Sequence, residues 1–345
     1  IVDRSNEQDR AGRATVKASR LAMLDRVPAR QEQEESMSDN VRLPSLSTFP
    51  RLLMHHAQMR PNHPATREKD MGIWQTWTWS QVAEEVRAMA SGLAELGFKR
   101  GDNLAIIGDN RPRLYWAMYA AQCLGGVPVP MYQDAVAAEM VFVLQDAGIK
   151  FAIVEDQEQV DKLLENMAQC PGLQHILYDD PRGMRHYNQP FLHGLDEVQE
   201  MGRIHNRNHP EFIDGEIALG QPEDVGVMLY TSGTTGKPKG VCLTHGAFIA
   251  AAQSGCEFDK LGPDDNILSY LPMAWVGDHL FSFAQATYAG FTINCPESGD
   301  TVMTDMREIG PSYYFAPPRV FENLLTQVMI RMEDASAIKR NLFHY

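Results

Sequence analysis

The segment Tyr230-Thr231-Ser232-Gly233-Thr234-Thr235-Gly236-Lys237-Pro238-Lys239-Gly240 follows directly on the apolar run Val225 to Leu229. Its eleven residues hold four hydroxyl side chains besides the tyrosine (Thr231, Ser232, Thr234, Thr235), three glycines and two lysines. Glycine lets a backbone turn sharply and bring its N–H groups close to an oxyanion. The hydroxyls can donate to phosphate oxygens, and Lys237 and Lys239 add positive charge at the same place. A surface loop of turn-forming residues is the competing reading. The pairing of hydroxyls with lysines, straight after a buried strand, favours a triphosphate cradle.

Two other nucleotide loops are excluded by spacing. A Walker A loop needs G-x-x-x-x-G-K-[ST], with the lysine leading into a helix. Here Gly236-Lys237 is followed by Pro238, which has no N–H and no magnesium-binding hydroxyl, and Gly233 stands too close. No G-x-G-x-x-G follows an early strand, so a dinucleotide enzyme has no support.

Working outward from the loop, helices and strands alternate. Val82, Val86, Met89, Ala90, Leu93 and Leu96 form a helical stripe, with Ser80 as the expected N-cap and Gly97 closing the helix. A buried strand is expected from Asn103 to Gly108, a helix from Arg113 to Leu124, and a strand from Val127 to Val129 ended by Pro130. A helix over Ala137 to Ala147 leads to strand Phe151 to Val154. Another near Glu158 to Ala168 precedes strand His175 to Tyr178. Asp180 to Asn208 has weak periodicity and reads as mostly a connection. Beyond the loop, a helix begins near His245, strands lie near Ile267, Thr292 and Tyr313, and a last helix starts near Pro318. This alternation implies an α/β fold of stacked subdomains, with mostly parallel sheets flanked by helices. The expected division is an arm at 1–36, a first α/β subdomain with its connection at 37–208, and a second at 209–345 carrying the phosphate loop.

Composition narrows the class. The 345 residues carry a net charge of -14, which argues against a nucleic-acid partner. Five scattered cysteines without a C-x-x-C pair indicate neither a zinc site nor a disulfide framework, and no metal ligand set is expected. A reducing cytoplasmic setting fits them. The apolar stretch Leu114 to Tyr132 contains Gly125, Gly126, Pro128 and Pro130, so it reads as a buried helix and strand rather than a membrane span. Residues 1–36 are polar, with seven basic and seven acidic side chains, and read as a disordered or non-native arm before Met37. The final residues, Lys339 to Tyr345, read as a break inside an element.

At Tyr230 to Gly240 the sequence resembles the adenylate-forming superfamily, which includes acyl-CoA synthetases, luciferases and the adenylation domains of peptide synthetases. Thr78-Trp79-Ser80, Gly101-Asp102-Asn103 and Gly125-Gly126-Val127-Pro128-Val129-Pro130 are similar to that family's N-terminal half. Leu271-Pro272-Met273-Ala274 and Ala316-Pro317-Pro318-Arg319-Val320-Phe321-Glu322 resemble its long-chain fatty acyl-CoA synthetase branch. The resemblance implies activation of a fatty acid by ATP and magnesium to an acyl-adenylate, then transfer to coenzyme A. It implies phosphate contacts from Thr231, Ser232, Thr234, Thr235 and Lys239, with Thr231 and Lys239 catalytic. Lys237 is either a further phosphate contact or solvated. Gly233, Gly236 and Gly240 would shape the loop.

On the acyl side the family presents a His after its Leu-Pro-Met motif, where this chain has Trp275. The segment Trp275, Val276, Gly277 and His279 is the expected substrate contact. Trp275 is open to two readings, core or the wall of an apolar tunnel, and so are Tyr313, Tyr314 and Phe315. The family's ribose-binding acid, hinge and small C-terminal domain find no counterpart before Tyr345, so the chain alone is expected to turn over little. Partners are expected to be small molecules, with peripheral membrane contact left open by a fatty substrate. Two alternatives stand: an aryl- or amino-acid-activating member of the superfamily, and a non-catalytic nucleotide- or acyl-binding fragment.

Overall fold

Asn103–Ile107, Phe151–Val154 and His175–Tyr178 are short runs rich in branched and aromatic residues, and each forms a strand of one parallel sheet. The computed structural model describes residues 46–231 and 238–344. The expected arm at 1–36 lies outside the described residues.

In chain order the first elements are α1 (Phe49–Met59), β1 (Pro64–Asp70), β2 (Ile73–Thr78), α2 (Trp79–Glu95), β3 (Asn103–Ile107) and α3 (Pro112–Cys123). Then come β4 (Val127–Met131), α4 (Ala137–Asp146), β5 (Phe151–Val154), α5 (Gln157–Asn166), β6 (His175–Tyr178), β7 (Leu192–Gly194), α6 (Leu195–Asn208) and α7 (Phe212–Leu219). The remainder is β8 (Val225–Thr231), β9 (Lys239–Thr244), α8 (His245–Asp259), β10 (Asn266–Leu268), β11 (Thr292–Cys295), α9 (Val302–Ile309), α10 (Pro318–Glu333) and α11 (Ala337–His344). A helical stretch from Val276 to Ala289, π-helical over His279–Ala284, joins β10 to β11.

The larger sheet runs β4-β3-β5-β6-β7, all parallel. Alternate residues of each strand face opposite layers. Leu104, Ile106, Phe151, Ile153 and Leu177 pack into a core with α2 and α3, while Ala105, Ile107, Ala152, Val154 and Ile176 pack against α4 and α5. A second sheet, β10-β11-β1-β2, takes two strands from each side of residue 208, and a hairpin pairs β8 with β9. The chain is thus α/β with mostly parallel sheets flanked by helices.

Several local expectations need correction. The N-cap of α2 is Thr78, not Ser80: Thr78 accepts from Gln81 N while Gln81 Oε1 accepts from Thr78 N, a closed capping box. Strand β4 does not stop at Pro130 but continues to Met131. It is an edge strand, and Val127 N donates toward β3, so the alternate Pro128 and Pro130 place their missing donors on the open edge. Tyr313 contributes one bridge to Ile267 rather than a strand. The stretch Asp180 to Asn208 is no mere connection, since it supplies β7 and the whole of α6. Finally, Leu114 to Tyr132 divides into α3 and β4, and among the described residues no helix is long and apolar enough to cross a membrane.

Candidate nucleotide and acid site

In a doubly wound sheet, ligands settle outside the carboxyl ends of the strands where the winding reverses, here β3 and β5. That crevice is filled. Arg111, just beyond β3, donates through Nε to Glu155 Oε1 at 2.7 Å and through Nη1 and Nη2 to the carbonyls of Pro296 and Glu297, both at 3.1 Å. Glu155 also accepts from Asp109 N at 2.6 Å. A Cβ on Gly108 would stand 2.5 Å from Glu155 Cβ, so only glycine lets the carboxylate lie across the strand end. The charged clasp ties the end of the parallel sheet to the segment that follows β11 of the mixed sheet, and the candidate site is built on two other segments.

The first of these is the β8–β9 hairpin. Antiparallel pairing sets Thr231 directly opposite Lys239, at the base of the loop between them. Both side chains are exposed. Among the described residues Lys239 makes no ion pair. Ser232, Gly233, Thr234, Thr235, Gly236 and Lys237 lie outside the described residues. The hairpin is pinned from behind by Tyr230, whose hydroxyl donates to Asp146 Oδ2 at 2.7 Å and is pushed up by burial and that carboxylate. Gly240 faces this tyrosine across the pair. A Cβ there would meet the Tyr230 ring at 3.1 Å and Met228 Sδ at 3.2 Å, so its small size seats the ring that holds the strand.

The second segment follows β10. Leu271, Met273 and Ala274 are buried, whereas Trp275 is 40% and Val276 50% exposed, so Trp275 is not a core residue. A Cβ on Gly277 would stand 3.5 Å from the Phe315 ring, and Phe315 stacks on Phe281 with ring centroids 3.8 Å apart. Tyr313 packs edge-on to Phe291 in the core, and Tyr314 stacks on Tyr270 at 5.6 Å.

His279 stands apart from that exposed edge. It is fully buried, with Phe248 and Phe283 rings at 4.9 Å and Phe49 at 6.3 Å. Neither ring nitrogen has a hydrogen-bond partner among the described residues. Burial, reinforced by neighbouring His245, pushes its pKa from 6.5 down to about 3, so it is neutral. The unfolded chain therefore binds more protons, and His279 costs stability progressively as pH falls below 6.5. His279→Phe removes that cost. Its stability relative to the parent should rise by about 1.4 kcal/mol per pH unit as pH falls from 6.5, by urea unfolding at pH 7 and pH 5. A difference that stays constant between the two pH values would show that the imidazole titrates normally.

The sequence reading missed Asp278, which is fully buried beside that edge, and its partners Asn110, Tyr115 and Ser269. An acidic residue inside the run Trp275 to Phe281 was the available signal.

Residues 53–343 match the AMP-binding enzyme family, and the chain belongs to it. Among its relatives, the long-chain-fatty-acid–CoA ligase ACSBG1 of Homo sapiens is 26% identical over 278 residues, covering 78% of this chain and 37% of that protein. The long-chain-fatty-acid–CoA ligase ACSBG2 of Xenopus laevis is 27% identical over 315 residues, covering 88% of this chain and 41% of that protein. The chain thus spans about two fifths of the length of these relatives. Solved structures share the fold. The N-terminal domain of FACL13 from Mycobacterium tuberculosis superposes with a TM-score of 0.62 at 22% identity, over 80% of this chain and 64% of that one. An anthranilate CoA ligase bound to anthranoyl-AMP superposes at 0.68 with 19% identity, over 78% of this chain and 49% of that one.

Proposed function

We propose that the whole protein carrying this chain activates a long-chain fatty acid with ATP and passes it to coenzyme A. The observation that carries the proposal is the hairpin register that sets Thr231 against Lys239, both exposed, astride the hydroxyl-rich loop. Family membership and the names of the relatives support the reaction class.

In the first step a carboxylate oxygen bonds to the α-phosphorus and the bond from that phosphorus to the β-phosphate bridge breaks. The products are acyl-adenylate and pyrophosphate. In the second, the sulfur of coenzyme A bonds to the acyl carbon, AMP leaves, and the thiol proton goes to solvent. No strong base is needed for the first step, because the acid is already ionised at neutral pH. The difficulty is charge: one anion must approach another while more charge builds on the departing pyrophosphate. Thr231 and Lys239, with Ser232, Thr234 and Thr235 and the amides of Gly233 and Gly236, are assigned to that charge as hydrogen-bond donors. Lys237 adds a further positive group. Magnesium enters this reading with the triphosphate; among the described residues no group of three His, Cys, Asp or Glu side chains could hold a metal ion.

The exposed apolar edge Trp275-Val276-Gly277 is assigned to the acid. His279, enclosed in aromatic rings, is not assigned to substrate contact. Acid-dependent exchange of pyrophosphate into ATP, run with fatty, aromatic and amino acids on the whole protein, tests the assignment. Exchange with palmitate exceeding the other classes at least tenfold is expected. Exchange confined to aromatic or amino acids would reassign the substrate, and ATP binding without exchange would leave a binding protein. The 345-residue chain by itself is expected to turn over little, because it covers only part of the length of its relatives.

A further inference from the structure

Asp278 carries no solvent exposure, yet it stands within three residues of Trp275 and Val276, which are exposed. Both its oxygens are engaged. Tyr115 Oη donates to Oδ2 at 2.7 Å, and Ser269 Oγ donates to Oδ1 at 2.8 Å. Asn110 Nδ2 lies 3.2 Å from Oδ1, 2.8 Å from Tyr115 Oη, 3.0 Å from Ser269 Oγ and 2.9 Å from the Leu271 carbonyl. Tyr115 Oη and Ser269 Oγ also lie 2.5 Å apart, so the two hydroxyls and the carboxylate form one connected network. Asn110 Nδ2 donates from that network to the Leu271 carbonyl. Ser282, on the π-helical turn, adds a further side-chain hydrogen bond to Asp278.

These donors come from separate parts of the fold. Asn110 follows the carboxyl end of β3, Tyr115 lies in α3, and Ser269 directly follows β10. Between Leu271 and Asp278 the backbone is tied by Trp275 N donating to Pro272 O at 2.8 Å, and by His279 N donating to Trp275 O at 3.2 Å and to Val276 O. An ionised carboxylate in a buried site is costly unless its acceptors are filled, so losing the arrangement is penalised from both sides. The cluster anchors the end of the Trp275–Gly277 segment to residues of β10's end, α3 and the turn after β3.

We propose that Asp278 is a positioning residue for the acid: with Asn110, Tyr115 and Ser269 it fixes the Trp275–Gly277 edge against the carboxyl end of β3. This rests on the reading that the edge faces the acid. It extends that reading from the residues in contact with substrate to the group that holds them in place.

Two measurements test it separately. Asp278→Asn keeps the size but puts an amide donor where two hydroxyls donate. In the 345-residue chain, amide hydrogen exchange across 271–278 should then speed up at least tenfold, while β3 keeps its protection. In the whole protein the same change should raise KM for the acid at least tenfold and leave KM for ATP within twofold. Should Asp278→Asn fail to fold, Tyr115→Phe removes one hydroxyl and is expected to shift both readouts in the same direction, less far. Unchanged exchange at 271–278, or a speeding spread evenly through β3 and β10, overturns the positioning role. An acid KM unmoved by Trp275→Ala overturns the reading of the edge instead, and the exchange result still decides the part played by Asp278.

Discussion

Gly202→Ala should lower the melting temperature by about 6–12 °C, reflecting a loss on the order of 3 kcal/mol. The cause is the crossing of α6 over α2, where two glycines face each other. A Cβ on Gly202 would stand 1.7 Å from the Ala88 carbonyl oxygen and 2.6 Å from Gly92 N. A Cβ on Gly92 would meet the Val198 carbonyl oxygen at 2.1 Å. These are backbone atoms within helices, so no side chain can swing aside and one helix must move bodily. The move would also pull Arg203 from Glu85, a 2.7 Å contact, and Gln199 from the same carboxylate at 2.9 Å. Gly215→Ala provides the opposite control. That glycine is exposed inside α7 with nothing within 4 Å of the added carbon, so the change should stabilise by about 0.5–1 kcal/mol. Thermal melts of the two variants, run side by side, check both signs. Equal small effects would mean that the helices cross less closely than the structure shows.

Lys239→Ala should cut acid-dependent pyrophosphate exchange by about 100- to 1,000-fold in the whole protein, the loss expected when one donor to developing charge is removed. Its melting temperature should scarcely change. Lys239 is exposed and, among the described residues, forms no ion pair, so the fold loses nothing when its charge goes. Lys239→Arg should recover part of the rate, because charge returns with a different shape. Thr231→Val removes a hydroxyl at the opposite position of the register and should act in the same direction, by a smaller factor. A Lys239→Ala variant with parental exchange would remove the phosphate role from this lysine. A variant that loses rate only because it melts would reduce Lys239 to a folding residue.

The sheet was legible because buried parallel strands need continuous apolar runs, and Asn103 to Ile107, Phe151 to Val154 and His175 to Tyr178 are such runs. Helix α6 was not, because it packs through backbone approach. The face it buries is Leu195, Val198, Gln199 and Gly202, a set too polar and too small to read as a stripe. The β1–β2 hairpin was hidden for another reason. Its two-residue turn places Met71 at φ 46° and Gly72 at φ 78°, a left-handed pair normally announced by Asn-Gly or Asp-Gly. At the site, the hydroxyls and lysines of the loop are neighbours in sequence, so their chemistry could be read directly. The cluster around Asp278 could not: its contact with Asn110 spans 168 residues, and only folding brings the two together.

The most direct test of the nucleotide-loop account is the fate of ATP labelled at its α-phosphate, incubated with palmitate and the whole protein in the absence of coenzyme A. The label should move into acyl-adenylate, with an equal amount of unlabelled pyrophosphate released, and only when the acid is present. Release of ADP, or cleavage at the same rate without any acid, would contradict the assignment of Thr231, Lys239 and the loop between them to adenylate formation.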